Sequence, residues 1–210
     1  MTPDDWIRLA PDAVTAVAAL LGGTGAIIGV NTWKKQLRGQ HAYDVARKTY
    51  LALLQVRETL DALRSPFFLP DEVWTAMKED ESSRSDPEEP REVDVSLSAY
   101  RHRWNAVVVP MQTLDMLVLE AEIVISPTIR EVFGDLRKVV ATVKVAMDHT
   151  MDRQKKKKND ATPLSDLDLR QYEILHVRGR NDPITKELEA VIAKFATLLR
   201  PHLGGSTKAV

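Results

Sequence analysis

From Ala13 to Val30 the chain reads AVTAVAALLGGTGAIIGV, eighteen residues without a charge. Wound as a helix at ~1.5 Å per residue, this stretch is about 27 Å long, close to the ~30 Å of a bilayer's hydrocarbon core. Its flanks differ in sign. Asp4, Asp5 and Asp12 precede it against Arg8 alone, while Lys34, Lys35 and Arg38 follow it. Trp6 and Trp33 stand on either side, where interfacial indoles tend to sit. The positive-inside rule then sets residues 1–12 outside, a transmembrane helix at 13–30 and the remainder in the cytoplasm. The competing reading is a buried helix of a soluble domain. Gly22, Gly23, Gly25 and Gly29 weigh against it, because each weakens a soluble helix by up to ~1 kcal/mol, whereas membrane helices tolerate glycine better. A cleaved signal peptide fits less well, because the residues before the segment are acidic.

Two motifs lie inside the segment. Gly25 and Gly29 have the small-xxx-small spacing that lets membrane helices approach closely, which makes them candidates for helix association. GGTGAIIG, from Gly22 to Gly29, is similar to the glycine-rich turn of short-chain dehydrogenases. That turn needs a β-branched strand before it and a helix after it, with the dinucleotide's pyrophosphate on the helix N-terminus. Here alanines precede it, one residue too many stands before Gly29, and no βαβ alternation follows. No nucleotide site is expected.

The remaining sequence, 31–200, is patterned for helices. Val45, Ala52, Val56 and Leu63 form one stripe, with Ala46, Leu53 and Leu60 beside it. This helix should run from the membrane to about Arg64, with Gly39 a soft point, and end at Ser65-Pro66. Leu97, Tyr100, Trp104, Val107, Met111, Leu114, Val118, Ala121 and Ile125 follow at alternating steps of three and four, a heptad seam with Pro110 inside it. The proline should kink the helix without ending it. Such a seam can close within one chain or between two. Ser126-Pro127 then reads as an N-cap with proline at the first helical position. Ile129, Val132, Leu136, Val139, Val143 and Ala146 continue the pattern, widened by Phe133, Val140 and Met147. Residues 164–175 suit a short helix, although YEILHV would equally suit a strand. Asp182-Pro183 opens a last helix with Ile184, Leu188, Val191, Phe195 and Leu198 on one face. Pro201 closes it before a flexible tail, 201–210. No helix can bury its stripe alone. The expected fold is therefore all-α, an N-terminal transmembrane helix followed by an antiparallel bundle of long amphipathic helices.

Residues 67–91 interrupt this pattern as an acidic linker broken by Pro70, Pro87 and Pro90. Phe67, Phe68, Val73 and Trp74 depart from its polarity. They either cap the end of the bundle or, with Phe67, Phe68 and Trp74 exposed, dock a protein partner.

Composition removes several functions. Apolar residues are 44% and charged residues 28%, with a net charge of -1, so a dedicated nucleic-acid binder is not expected. No cysteine is present, which excludes disulfides, thiolate metal sites and cysteine nucleophiles. The five histidines have no HxxxH or HExxH spacing. Glu173 and His176 form one ExxH, but a symmetric di-metal bundle needs two. No cofactor is expected. Arg153 and Lys155 to Lys158 read as a solvated helix end whose cations complement the helix dipole. If the helices alternate in direction from the membrane, these lysines lie roughly 40 Å from it at ~1.5 Å per residue, well beyond a Debye length of ~8 Å.

The stretch NTWKKQLRGQHAYDVARKTYLALLQVRETLDALRSPF, Asn31 to Phe67, resembles a group of bacterial single-pass membrane-anchored helical proteins without an established activity. The C-terminal ITKELEAVIAKFATLLRPHL resembles the end of the same group. The likeness implies an inner-membrane protein with its body in the cytoplasm and brings no catalytic residues. Trp33, Lys34, Lys35 and Arg38 would then mark the membrane interface. The expected role is a membrane-anchored interaction or adaptor protein, with the bilayer, an unidentified protein and a second copy of the chain as candidate partners. A metal-dependent helical-bundle enzyme and a membrane-perturbing effector are the alternatives.

Overall fold

The periodic stripes become helices in the computed structural model, and no strand occurs among the described residues. Residues 3–82, 92–157, 163–176 and 182–204 are described, with their side chains except at 3–28, 79–82, 92–94 and 157. The described helices are α1 (Pro3–Leu63), α2 (Pro70–Ser82), α3 (Glu92–Val124), α4 (Thr128–Lys157), α5 (Asp166–His176) and α6 (Pro183–Leu199), with a 3-10 turn at Arg200–His202. The chain divides into two compact units, Met1–Tyr43 and Asp44–Val210.

The first unit is the leading part of α1. Its helix passes through Gly39 without a break, and its GGTG motif lies within helix where a nucleotide site would need a turn. The span expected at 13–30 falls in α1, but its side chains before Gly29 lie outside the described residues. Among the described residues no helix is long and apolar enough to cross a membrane. From Gly29 to Tyr43 every side chain is exposed except Ala42.

The second unit is a helical bundle. The seven apolar residues expected on the α1 stripe, Val45 to Leu63, are all buried. They share one core with α3, α4, α5 and α6. On α3, Leu97, Tyr100, Val107, Leu114, Val118 and Ala121 are buried, while Trp104 and Met111, with Ile125 just past the helix, pack at the margin. The heptad seam thus closes inside the chain. The helix runs through Pro110, so the pattern keeps its phase despite the missing backbone donor.

Ser126 caps α4, its hydroxyl accepting from the Thr128 N–H at 3.3 Å. The short turn makes α3 and α4 an antiparallel hairpin. All nine apolar positions expected on α4 are buried. Lys155 and Lys156 stand exposed in its last turns, with Lys155 3.7 Å from Asp152, and Lys158 lies outside the described residues.

Three local outcomes differ from the sequence expectation or choose between its options. The linker at 67–91 contains α2. Pro70 opens this helix instead of breaking it, because proline's missing N–H costs nothing in a first turn. Asp71 and Glu72 then favour the positive helix end, and the Glu72 carboxylate accepts from the Leu69 N–H at 3.3 Å. Residues 166–176 take the helical option. Ser165 and Asp168 form a reciprocal capping box there, Ser165 N–H donating to Asp168 at 2.8 Å and Asp168 N–H to the Ser165 hydroxyl at 3.2 Å. On α6, Leu199 finishes the buried stripe and Leu198 is half-buried.

Leu114 is fully buried at the middle of the α3 seam. Leu114→Ala should destabilise the fold by about 2–5 kcal/mol, read as a lower urea midpoint with an unchanged slope.

Candidate functional site

One end of the bundle gathers the end of α1, the turn into α2, the N-terminal half of α3, the end of α5 and the start of α6. Two buried arginines organise it.

Arg64 follows the last residue of α1 and is only 2% exposed. Its Nη1 lies 2.7 Å from the Asp182 carboxylate, and its Nε donates to the Ile174 carbonyl at 2.9 Å. Nη1 also donates to the Thr185 hydroxyl at 3.3 Å. Asp182 is the N-cap of α6. It accepts from the N–H groups of Ile184 at 3.2 Å and Thr185 at 3.1 Å, and from the Thr185 hydroxyl at 2.5 Å. Burial opposes ionisation of Asp182, yet the bonds from Arg64 and Thr185 win and hold its carboxyl below the ordinary carboxylate range. A buried charge survives only when its polar atoms are matched, and this pair is matched by a cap, a carbonyl and a hydroxyl.

Arg103, on α3, is buried on the other side of the same turn. It grips Glu72 of α2 with Nε and Nη2, the latter at 2.9 Å. Nη1 donates to the Ser65 carbonyl at 2.6 Å and Nη2 to the Phe67 carbonyl at 2.6 Å. Its guanidinium also lies 4.4 Å from the centre of the Phe68 ring. One side chain thereby fixes the whole α1–α2 turn.

An aromatic row joins the two arginine sites. Phe68 meets Tyr100 edge-on at 5.0 Å, and Tyr172 stacks on His176 at 4.1 Å. The Tyr100 oxygen is 2.6 Å from His176 Nε2, while Nδ1 is 3.0 Å from the Tyr172 carbonyl. A carbonyl can only accept, so Nδ1 carries the proton and Nε2 accepts from the phenol. Burial pushes Tyr100 up to about 12, which keeps this donor protonated. Burial also pushes His176 down. The bond to the Tyr172 carbonyl opposes this, and the positive charges of Arg103 and Arg64 reinforce it. Both ring nitrogens are engaged, so His176 is a structural link and holds no nitrogen ready for a metal or a substrate proton. Among the described residues no group of three or more His, Cys, Asp or Glu could hold a metal ion.

The sequence-derived candidates separate here. Phe68 turns onto the bundle, while Phe67 and Trp74 remain 78% and 64% exposed. Leu69, which the sequence analysis passed over, is 69% exposed beside them. Phe67 and Leu69 border a groove of about 450 Å³ floored by Thr59, Ala62, His102 and Ala106. On α1, Trp33, Lys34, Lys35 and Arg38 are all exposed. Val30 and Leu37 are exposed as well, and their spacing with Trp33 sets an apolar face next to these cations. Gly29 is exposed with open space around it, and the side-chain surroundings of Gly25 lie outside the described residues. No family model matches the chain, and neither a curated protein nor a solved structure matches it.

Removing one member of the Arg64–Asp182 pair strands a buried charge. Asp182→Ala should cost about 3–5 kcal/mol in urea unfolding, and Arg64→Met combined with Asp182→Ser should recover much of that loss. His176 gives a pH signature. Its folded pKa lies below the unfolded value of ~6.5, so its contribution is present above that pH. It is lost as pH falls from there through the folded pKa. Stability of the wild-type chain should therefore decline below pH ~6.5 more steeply than that of His176→Gln, measured by melting temperature across buffers.

Proposed function

We propose that the chain is a membrane-anchored helical interaction protein that docks a protein partner on the turn between α1 and α2. The observation carrying this reading is the pairing of rigidity with apolar exposure. Phe67, Leu69 and Trp74 face solvent, yet the backbone presenting two of them is clamped by Arg103 through the Ser65 and Phe67 carbonyls. A preorganised turn loses little entropy on binding, and exposed aromatics are favoured anchors of interfaces. Asp71 stands exposed at the start of α2, and acids outnumber bases from Glu79 to Glu92. The partner of choice is therefore a protein segment with apolar side chains flanked by lysine or arginine.

Support for the anchor comes from the uncharged run at 13–30 and from Trp33, Lys34, Lys35 and Arg38, exposed at its end. In this reading the body, 31–200, faces the cytoplasm.

Two measurements test the parts separately. The full chain should resist carbonate extraction from membranes with a C-terminal tag shielded from external protease, and a chain beginning at Asn31 should be extracted. Full-length protein released by carbonate removes the anchor. For docking, Phe67→Ser with Trp74→Ser should retain the wild-type melting temperature, because both side chains are exposed. The double variant should lose at least about tenfold in partner capture from solubilised membranes, and wild-type capture should weaken as salt rises. Equal capture by wild type and variant sinks the assignment of this surface.

A further inference from the structure

From Ala13 to Tyr43 the chain holds three cations, Lys34, Lys35 and Arg38, and no acidic residue. All three are exposed, and among the described residues none of them makes a hydrogen bond or an ion pair. Val30, Trp33 and Leu37, at 48%, 61% and 52% exposure, stand at steps of three and four and so share one face of α1. Lys34 and Arg38 each follow a member of that face and border it, and Lys35 lies further round the helix. Apolar surface and unpaired positive charge therefore lie side by side on less than three turns of helix, at the end of the uncharged run.

We infer that residues 30–38 select anionic phospholipids, with Val30, Trp33 and Leu37 against the acyl boundary and Lys34, Lys35 and Arg38 on the headgroup phosphates. The inference rests on the membrane anchor proposed above and adds the class of lipid around it. Lys34 and Lys35 lie about 6–8 Å along the helix from Val30, and Arg38 about 12 Å, at ~1.5 Å per residue. The headgroup layer is roughly 5–8 Å deep on each side of the hydrocarbon, and long basic side chains reach back toward it along their apolar stems. All three charges then act within about one Debye length, ~8 Å, of the lipid phosphates. A zwitterionic headgroup offsets its phosphate with its own ammonium, whereas an anionic one leaves the phosphate for the protein, so the unpaired cations favour the second. The apolar face decides against other occupants. Nucleic acid would neutralise the cations and leave Val30, Trp33 and Leu37 in water. A second copy of this segment would cover the face but bring three cations against three, with no acid in the segment to meet them in either direction. An acidic bilayer surface satisfies both halves.

Trp33 can report on the lipid it touches. In the full chain carrying Trp6→Phe, Trp74→Phe and Trp104→Phe it is the sole tryptophan. This chain would be reconstituted into vesicles of phosphatidylcholine with phosphatidylglycerol, with bromine on the acyl chains of one lipid or the other. At equal mole fraction, brominated phosphatidylglycerol should quench Trp33 at least about threefold more strongly than brominated phosphatidylcholine, and added salt should shrink the difference. Lys34→Gln, Lys35→Gln and Arg38→Gln together should abolish the preference with unchanged helix content by circular dichroism, because all three side chains are exposed. Equal quenching by the two lipids overturns the selection and leaves the anchor standing. Quenching by neither sets Trp33 away from the bilayer and overturns the inference, and carbonate extraction then reports separately on the anchor. A preference that survives the three substitutions removes these cations as its source. A second measurement uses the chain with all its tryptophans. Purified from the same vesicles in mild detergent, it should carry lipid enriched in phosphatidylglycerol, and the triple glutamine variant should not; lipid of the bulk composition on both overturns the inference. Retention on duplex DNA instead of acidic vesicles, lost with the same substitutions, would assign the cations to nucleic acid.

Discussion

A guanidinium cannot leave water without matched acceptors, and Arg64 sets this condition at the end of α1. Meeting it requires the Ile174 carbonyl, the Asp182 carboxylate and the Thr185 hydroxyl in one place. Three helices are thereby brought to a common point. Asp182 satisfies two demands together, because the carboxylate that neutralises Arg64 also caps first-turn N–H groups of α6 that have no partner within the helix. Hydrophobic burial would hold these helices together in many slightly different arrangements. A buried ion pair with directional partners admits few of them, which is how a polar cluster can add specificity at little net gain in stability.

Arg103 extends the same logic to the outer side of the turn. Its bonds to Glu72 and to the Ser65 and Phe67 carbonyls tie α3, α2 and the turn together. Phe68 lies beneath the guanidinium, and Phe67, the residue before it, points to solvent. The clamp and the displayed surface are therefore one structure. α3 takes part in three relations at once. Its inner seam builds the core, Arg103 near its start braces the turn, and Val109, Met116, Leu119 and Ile123 are exposed on its outer side. This explains why its apolar residues are spread around the helix instead of confined to one side.

Much of the bundle was legible in the sequence, because it follows from local spacing. The α3 seam, the nine apolar positions of α4 and the Asp182-Pro183 start of α6 are short-range patterns with one physical reading. The end of α1 was equally plain from Ser65-Pro66. What escaped depends on distance in the chain or on an ambiguous signal. α2 was hidden because Pro70 reads both as a breaker and as a helix opener, and the acidity around it suggested disorder. The roles of Arg64 and Arg103 could not be found locally, since their partners Asp182 and Glu72 lie on other elements. Phe67 and Phe68 are the same residue type side by side, and only the clamp above Phe68 separates the half-buried ring from the exposed one. The exposed apolar residues of α3 were masked by the stronger inner seam on the same helix. The uncharged run at 13–30 was conspicuous, but its side chains before Gly29 lie outside the described residues, and its role rests on sequence alone.

The separation between Arg64 and its partners has a consequence for how the protein is made. Arg64 bonds to residues 110 and 121 positions further along the chain. Synthesis proceeds from the N-terminus, so α1 and the turn leave the ribosome long before α5 and α6. Through that interval Arg64 has no Asp182 to meet and must stay hydrated, which holds the end of α1 open. The turn that carries Phe67 is different, because Arg103 supplies its clamp to Glu72 and to the Ser65 and Phe67 carbonyls before α5 and α6 are made. A chain cut short before Asp182 would keep the apolar stripes of α1, α3 and α4 yet lack the charge that closes them. Burial of Arg64 therefore waits for α6, after the earlier helices of the bundle have been made.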